Sequence, residues 1–341
     1  MNYLVAKRIA RFAIASIALT MASSACAQHI RRTTTFATGT AVNATGPDSI
    51  TLSRNSVWVS YTNGADSTGL SGSSTIVQYN LHGEVRHTYS IAGSVDGLKV
   101  DPRTGRVWAL QNQDGNSTLR VINPKTHTVS GSIPYAVKSA TQGYDDVVFR
   151  GDQVFLSYTN PVAPTDPTIQ LLQNGSNPLV VTPILTMGAT GTNLATGQAN
   201  QPTTDTDSDS LKLTPTGDLM LSSGADGQLI FVEKPGRPDQ SVSFLQLLDP
   251  STGLAVSGLD DAVFATAREG TFYLADTSNN RILKIEVDHV RVGTLFASVG
   301  SLNQLTVVDI HTGVTSPFVS NLKGPHGLEF VSRSDTDADE Q

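Results

Sequence analysis

Six short phrases recur along the chain, and they restrict its fold more than any other feature. They are GPDSITLS from Gly46, SVDGLKVD from Ser94, GYDDVVFR from Gly143, DSDSLKLT from Asp207, GLDDAVFA from Gly258 and GPHGLEFV from Gly324. Each joins turn-forming residues to a short run in which apolar and polar side chains alternate, as sheets packed face to face require. Aligned on their polar residue, they give Asp48, Asp96, Asp145, Asp209, Asp260 and His326, separated by 48, 49, 64, 51 and 66 residues. Periods of that size belong to propeller blades, each a small antiparallel sheet of about four strands.

The order within a period also repeats. After Asp96-Gly97 come Leu98–Asp101, a Pro-Arg-Thr-Gly turn, Arg106–Leu110, a polar loop, Thr118–Asn123 and Val129–Ile133. The next period runs VVFR, QVFLSY, TIQLLQ and LVVTPI, and the fourth runs SLKLT, DLMLSS, QLIFVE and VSFLQL. Ser60-Tyr61-Thr62-Asn63 recurs verbatim as Ser157-Tyr158-Thr159-Asn160. The chain is therefore expected to be all-β: a single β-propeller of six blades, closed by its N- and C-terminal strands. A seven-bladed count also fits the periods.

Two intervals are long. The third carries a Gly-, Thr- and Asn-rich stretch from Gly188 to Thr206 with no strand pattern, which reads as a long surface loop, either a lid or a disordered insertion. The last holds GTLFASV, QLTVVDI and VTSPFV with no innermost phrase before them. GPHGLEFV is expected to supply that inner strand, so that the joined ends leave no free sheet edge. Which blade the N-terminal TTTFATGTA strand completes is left open.

The first residues read as an export signal. Lys7, Arg8 and Arg11 precede an apolar run from Phe12 to Ala22, and Ala25-Cys26-Ala27 gives the small-x-small pattern for cleavage before Gln28. That run is too short for a permanent membrane anchor. Ser-Ser-Ala-Cys also allows lipidation at Cys26 as a rival reading. The expected organisation is a signal peptide at 1–27, a propeller at 28–332 and a disordered acidic tail at 333–341, in a periplasmic or extracellular protein. Cleavage would take the net charge from −7 to −10 and remove the single cysteine, so the mature chain could form no disulfide. Net acidity argues against nucleic acid and anionic membrane surfaces as partners. Asn-x-Ser/Thr triplets stand at Asn43, Asn116 and Asn174.

In a propeller the first strand of each blade lines the central channel, and the residue just before it sits at the mouth. Asp48, Asp96, Asp145, Asp209, Asp260 and His326 are thereby placed in one ring. Asp146 and Asp261 directly follow two of these, and the pleat should turn them away from the channel. Five converging carboxylates require raised pKa values, wide solvation or a bound cation. An oxygen-rich site suits Ca²⁺, whereas the His326 imidazole is a poor Ca²⁺ ligand and fits better as a general base beside the metal or as a sign of a transition metal. A plainer reading stands beside this one, because Asp at a strand head also caps a turn by accepting backbone N–H bonds.

Other chemistry is weakly represented. Asp205, Asp207 and Asp209 spell D-x-D-x-D, but Ser210 and Thr216 replace the Gly and Glu of an EF-hand loop. No nucleophile elbow, H-E-x-x-H pair, phosphate-binding loop or dinucleotide fingerprint occurs. The loops YTNGADSTGLSGSS, LQNQDGNST, SSGADGQ and ADTSNNR should crowd the face that carries the ring.

Several of these phrases match known repeats. TLRVINPKTHTVSGSIPYAV resembles the YVTN propeller repeat of surface proteins, and LADTSNNRILKIEV resembles an NHL-type blade. DIHTGVTSPFVSNLKGPHGLEFV is similar to blades of the regucalcin/gluconolactonase and paraoxonase superfamily. By motif position, that resemblance implies metal binding at Asp48, Asp145, Asp209 and Asp260, and a base or substrate-contact role for His326. Two function classes follow. One is a non-catalytic module that binds a small polar ligand or a protein partner, with a cation site of Asp48, Asp96, Asp145, Asp209 and Asp260 at the mouth. The other is a calcium-type hydrolase of lactones, esters or phosphoesters with His326 as its catalytic residue. The binding module is preferred, since the catalytic assignment rests on motif position alone.

Overall fold

A computed structural model describes residues 29–333 apart from 174. The segment 1–27 expected to be a signal peptide, with Cys26, the tail beyond Arg333 and the triplet at Asn174 lie outside the described residues. The strands form six antiparallel sheets, one per blade. Their innermost strands are Pro47–Ser53, Val95–Val100, Tyr144–Arg150, Ser208–Leu213, Leu259–Phe264 and Pro325–Ser332. Each lies beside the next, and the last returns to the first, so the ring is closed with six blades.

Burial follows radial position. The second strand of blade one, Ser56–Tyr61 (SVWVSY), is buried along its whole length, because neighbouring blades cover both of its faces. The outer strand Val85–Ala92 is largely exposed. The core is divided into six apolar clusters, and each fills one seam between adjacent blades. In the seam between blades five and six, Phe272 lies 4.6 Å from Phe296 and 4.8 Å from Phe330, with Phe318 4.9 Å from Phe296. Edge and tilted contacts of this kind add about 1 kcal/mol per pair to the area buried.

The ring closes differently from the expected pairing. GPHGLEFV is an inner strand, but it pairs with Gly270–Asp276, not with Leu295–Val299. From Leu259–Phe264 the chain crosses to blade six for Gly270–Asp276 and Arg281–Asp288. It then returns to complete blade five with Leu295–Val299, Gln304–Val308 and Thr315–Val319. The N-terminal strand His29–Thr38 is the outermost strand of blade six. That sheet therefore holds both ends of the described chain. The preference of consecutive strands to pair misleads here, because the connection at 265–269 is long enough to reach the neighbouring blade.

The stretch expected to be a strandless loop also forms structure. Thr190–Asn193 adds to the outer edge of blade four, parallel to Ser241–Gln246, and Gln201–Pro202 pairs with it in turn. An edge position needs backbone hydrogen bonds but no buried face, which explains why no apolar alternation announces these strands.

Candidate functional site

The ring residues are aimed by a repeated irregularity. In every blade the ladder between the first and second strands skips at the repeat phrase. Pro47 opposes Tyr61, and the next pair is Ile50 with Val59. The same shift falls between Val95 and Leu98, Tyr144 and Val147, Ser208 and Leu211, Leu259 and Ala262, and Pro325 and Leu328. Two residues thus oppose one, a β-bulge, which bends the strand and re-aims a side chain. The polar residue expected just before the strand is the second residue of the strand and the first of the bulge.

Bulges leave backbone groups without ladder partners, and alternate blades solve this in a shared way. In blades one, three and five the hydroxyls of Ser60, Ser157 and Ser298 accept the N–H of Ser49 at 3.0 Å, Asp146 at 2.8 Å and Asp261 at 3.0 Å. The side chains of Ser49, Asp146 and Asp261 then reach sideways and accept the N–H of Leu98, Leu211 and Leu328 in the next blade. Asp146 and Asp261 therefore turn away from the mouth, as the pleat required. At the equivalent place in blades two and six stand Gly97 and Gly327, where a Cβ would collide with the carbonyl oxygens of Asp145 and Asp48.

All five ring aspartates, with Lys212 beneath them, line one small cavity of about 20 Å³, the size of a single water or bare ion. Together with His326 they also floor an open pocket of about 320 Å³ above it. Gln113, Asp114, Thr159, Asn160 and Asp207 supply further oxygen atoms to that pocket. Among the described residues none of the five ring carboxylates accepts a backbone hydrogen bond. Turn capping is done elsewhere, by Asp66, Asp101, Asp166, Asp249 and Asp309. Asp66, Asp166, Asp249 and Asp309 are pulled below the ordinary carboxylate range, chiefly by hydrogen bonds from Thr68, Val162, Ser251 and His311 respectively.

The ring behaves in the opposite sense. Burial and mutual repulsion hold Asp96, Asp145 and Asp209 well above the usual range. His326 occupies the seam between Asp48 and Asp260, with Nδ1 at 3.0 Å and 2.9 Å from their carboxylate oxygens. The charge of Asp260, assisted by Asp48, outweighs burial and pushes the imidazole up to about 12. In that state it is a cation at neutral pH and cannot accept a proton. Burial would raise Asp48, but a hydrogen bond with Asp96 and the charge of His326 bring it below its ordinary value. Asp260 stays raised by burial despite His326. The ring thus divides into an ion-paired side, Asp48–His326–Asp260, whose ligand atoms lie within 4.8 Å of one another, and an unpaired side of Asp96, Asp145 and Asp209.

Below the cavity the channel is plugged by charge. Lys99 and Lys212 approach Glu329 at 3.0 Å and 2.9 Å, and Lys212 also meets Asp261 at 2.9 Å. Although burial opposes it, the two lysines bring Glu329 down to about 2. These residues escaped the sequence reading, although Lys99, Lys212 and Glu329 all lie three places beyond the ring residue of their own phrase. Two of the three bulge serines, Ser60 and Ser157, were visible as the first letter of the repeated SYTN, whereas Ser298 had no such marker.

The donor set is oxygen-only apart from His326, and three of its carboxylates have no cationic partner among the described residues. That combination fits a hard divalent cation such as Ca²⁺.

No family model matches the chain, and no curated protein matches its sequence. Solved structures do match. A protein described as a gluconolactonase aligns with TM-score 0.51 at 11% identity, over 86% of this chain and 82% of that one. Virginiamycin B lyase from Staphylococcus aureus gives 0.48 at 13%, over 85% and 93%. A periplasmic gluconolactonase from Pseudomonas aeruginosa gives 0.47 at 12%, over 84% and 88%. At such identities the likeness is one of fold alone, and the chain is a six-bladed β-propeller that shares its architecture with the first of these proteins.

Proposed function

We propose that the protein is an exported binding propeller whose channel mouth takes up a calcium-type cation and offers the open pocket above it to a small polar ligand. The observation that carries this reading is the unpaired side of the ring. Asp96, Asp145 and Asp209 face one ion-sized cavity and form no ion pair among the described residues: Lys212, which also lines it, is taken up by Asp261 and Glu329, and His326 serves Asp48 and Asp260. Together with Asp48 and Asp260, these three would hold the ion. When bound, it would supply positive charge to which the oxygen atoms of a ligand could bind. Among the described residues no helix is long and apolar enough to cross a membrane.

Metal analysis of the purified chain, combined with thermal unfolding in Ca²⁺ and in chelator, tests the reading. Bound cation and a higher Tm in Ca²⁺ are expected, and Asp145→Asn and Asp209→Asn should abolish that shift. Without cation the same variants should unfold at or above the wild-type temperature, since each replaces a buried carboxyl whose ionised form the ring disfavours. No co-purified metal and equal Tm in both conditions would remove the cation from the account.

The second reading, a metal-dependent hydrolase of lactones, esters or phosphoesters, is favoured by the placing of an imidazole against the acidic ring. It requires His326 to release its proton before acting as a base. Turnover of such substrates that depends on Ca²⁺ and is lost in His326→Gln would convert the binding module into an enzyme.

A further inference from the structure

On the face opposite the acidic mouth, the seam where the ring closes holds a second pocket of about 410 Å³. Its position follows from its lining. Asn55 lies in the hairpin that ends the inner strand of blade one, and Gly270 sits beside Ser332 at the far end of the inner strand of blade six. The charge here is reversed. Arg31, Arg86, Lys284, Arg333 and His82 line the pocket, against the single carboxylate of Glu286. This occurs in a chain whose net charge is −7.

The internal pairing of these cations is loose. Arg31 reaches Asp288 only at 3.7 Å, and Asp288 also serves His29 and His289. Lys284 stands 3.6 Å from Glu286; Arg333, by contrast, is hydrogen-bonded to Glu269 at 3.2 Å, so the loosely held cations are Arg31 and Lys284. Arg86 has no carboxylate within 4.0 Å among the described residues. Exposed pairs at such distances contribute little, so an incoming anion loses little by replacing them. Arginine forks favour planar oxyanions bound through two parallel hydrogen bonds. The volume lies within the range of small-molecule sites.

We infer that this pocket binds a small organic polyanion carrying two or more carboxylate or phosphate groups. The cations come from two blades, with Arg86 on blade one and Arg31 and Lys284 on blade six, so an anion bound there ties together the two blades at which the chain closes. The site is separate from the channel mouth, and its occupancy does not depend on the cation proposed there.

Calorimetric titration of the full chain with citrate and with inorganic phosphate, at fixed ionic strength and after divalent cations and chelator have been dialysed away, tests the inference. Saturable citrate binding is expected, weakened about tenfold by Arg86→Gln and again by Lys284→Gln, the loss of one charge-assisted hydrogen bond each. Both side chains lie near the surface, and matching circular dichroism would show that the variants are folded. Phosphate binding of equal strength would reduce the ligand to a single oxyanion and contradict the polyanion class. Absence of saturable binding, or binding unchanged in both variants, would overturn the site. Asp145→Asn should leave citrate binding unaltered, which keeps this test distinct from that of the mouth.

Discussion

His326 is the ring position where the repeat substitutes a base for an acid, and its neighbours decide its charge. Two carboxylates from two other blades hold the imidazole, so its position could be read from the phrase GPHGLEFV but its protonation could not. Its folded pKa is raised to about 12, so the stability it contributes is complete below about pH 6.5 and is lost as pH climbs toward that value. NMR titration should therefore show no His326 transition between about pH 5 and pH 9. A transition near the ordinary value would contradict the ion-paired geometry. With 39% of the side chain exposed, His326→Gln should cost about 1 kcal/mol in chelator, the low end for a charged hydrogen bond. Chemical denaturation measures that loss.

At the scale of the element, the bulge is the unit that makes the site. It was legible only in its parts: the six phrases gave the ring, and SYTN gave Ser60 and Ser157. The exchange between odd and even blades was hidden, because a cross-blade hydrogen bond such as Asp146 to Leu211 spans sixty-five residues of sequence. Ser157→Ala leaves the Asp146 N–H without its acceptor and should cost about 1–2 kcal/mol. Gly97→Ala should cost about 2 kcal/mol or more, since the new methyl meets the backbone of Asp145, which cannot yield without moving the ring. Ser210→Ala, at the equivalent place in blade four, should be nearly neutral. Equal Tm for Gly97→Ala and Ser210→Ala would sink the paired-blade description.

Across the whole molecule, blade number and ring order were legible because duplication preserved the phrases. The interleaving of blades five and six was not, since it depends on which seam the Phe272 face fills and not on any local pattern. The closed ring also sets the pH response. Asp96, Asp145, Asp209 and Asp260 are raised above the ordinary value of 3.8, so in chelator stability should fall as pH rises from there toward neutrality. Asp205 and Asp261, each pushed by burial up to about 7, add to the same fall. Glu329 acts oppositely: its contribution is complete above about 4.5 and is lost as pH drops toward 2. Saturating Ca²⁺ should remove the part of the decline that comes from the ring, so the Tm gain from Ca²⁺ should be larger at about pH 8 than at about pH 5. The most direct test of the cation site is Ca²⁺ calorimetry at neutral pH in buffers of different ionisation enthalpy, which counts protons as well as ions. Saturable uptake with release of at least one proton per ion is predicted, because the ion must displace protons held by Asp96, Asp145 and Asp209. Absence of saturable binding, or binding with no proton released, would contradict a cation at the channel mouth.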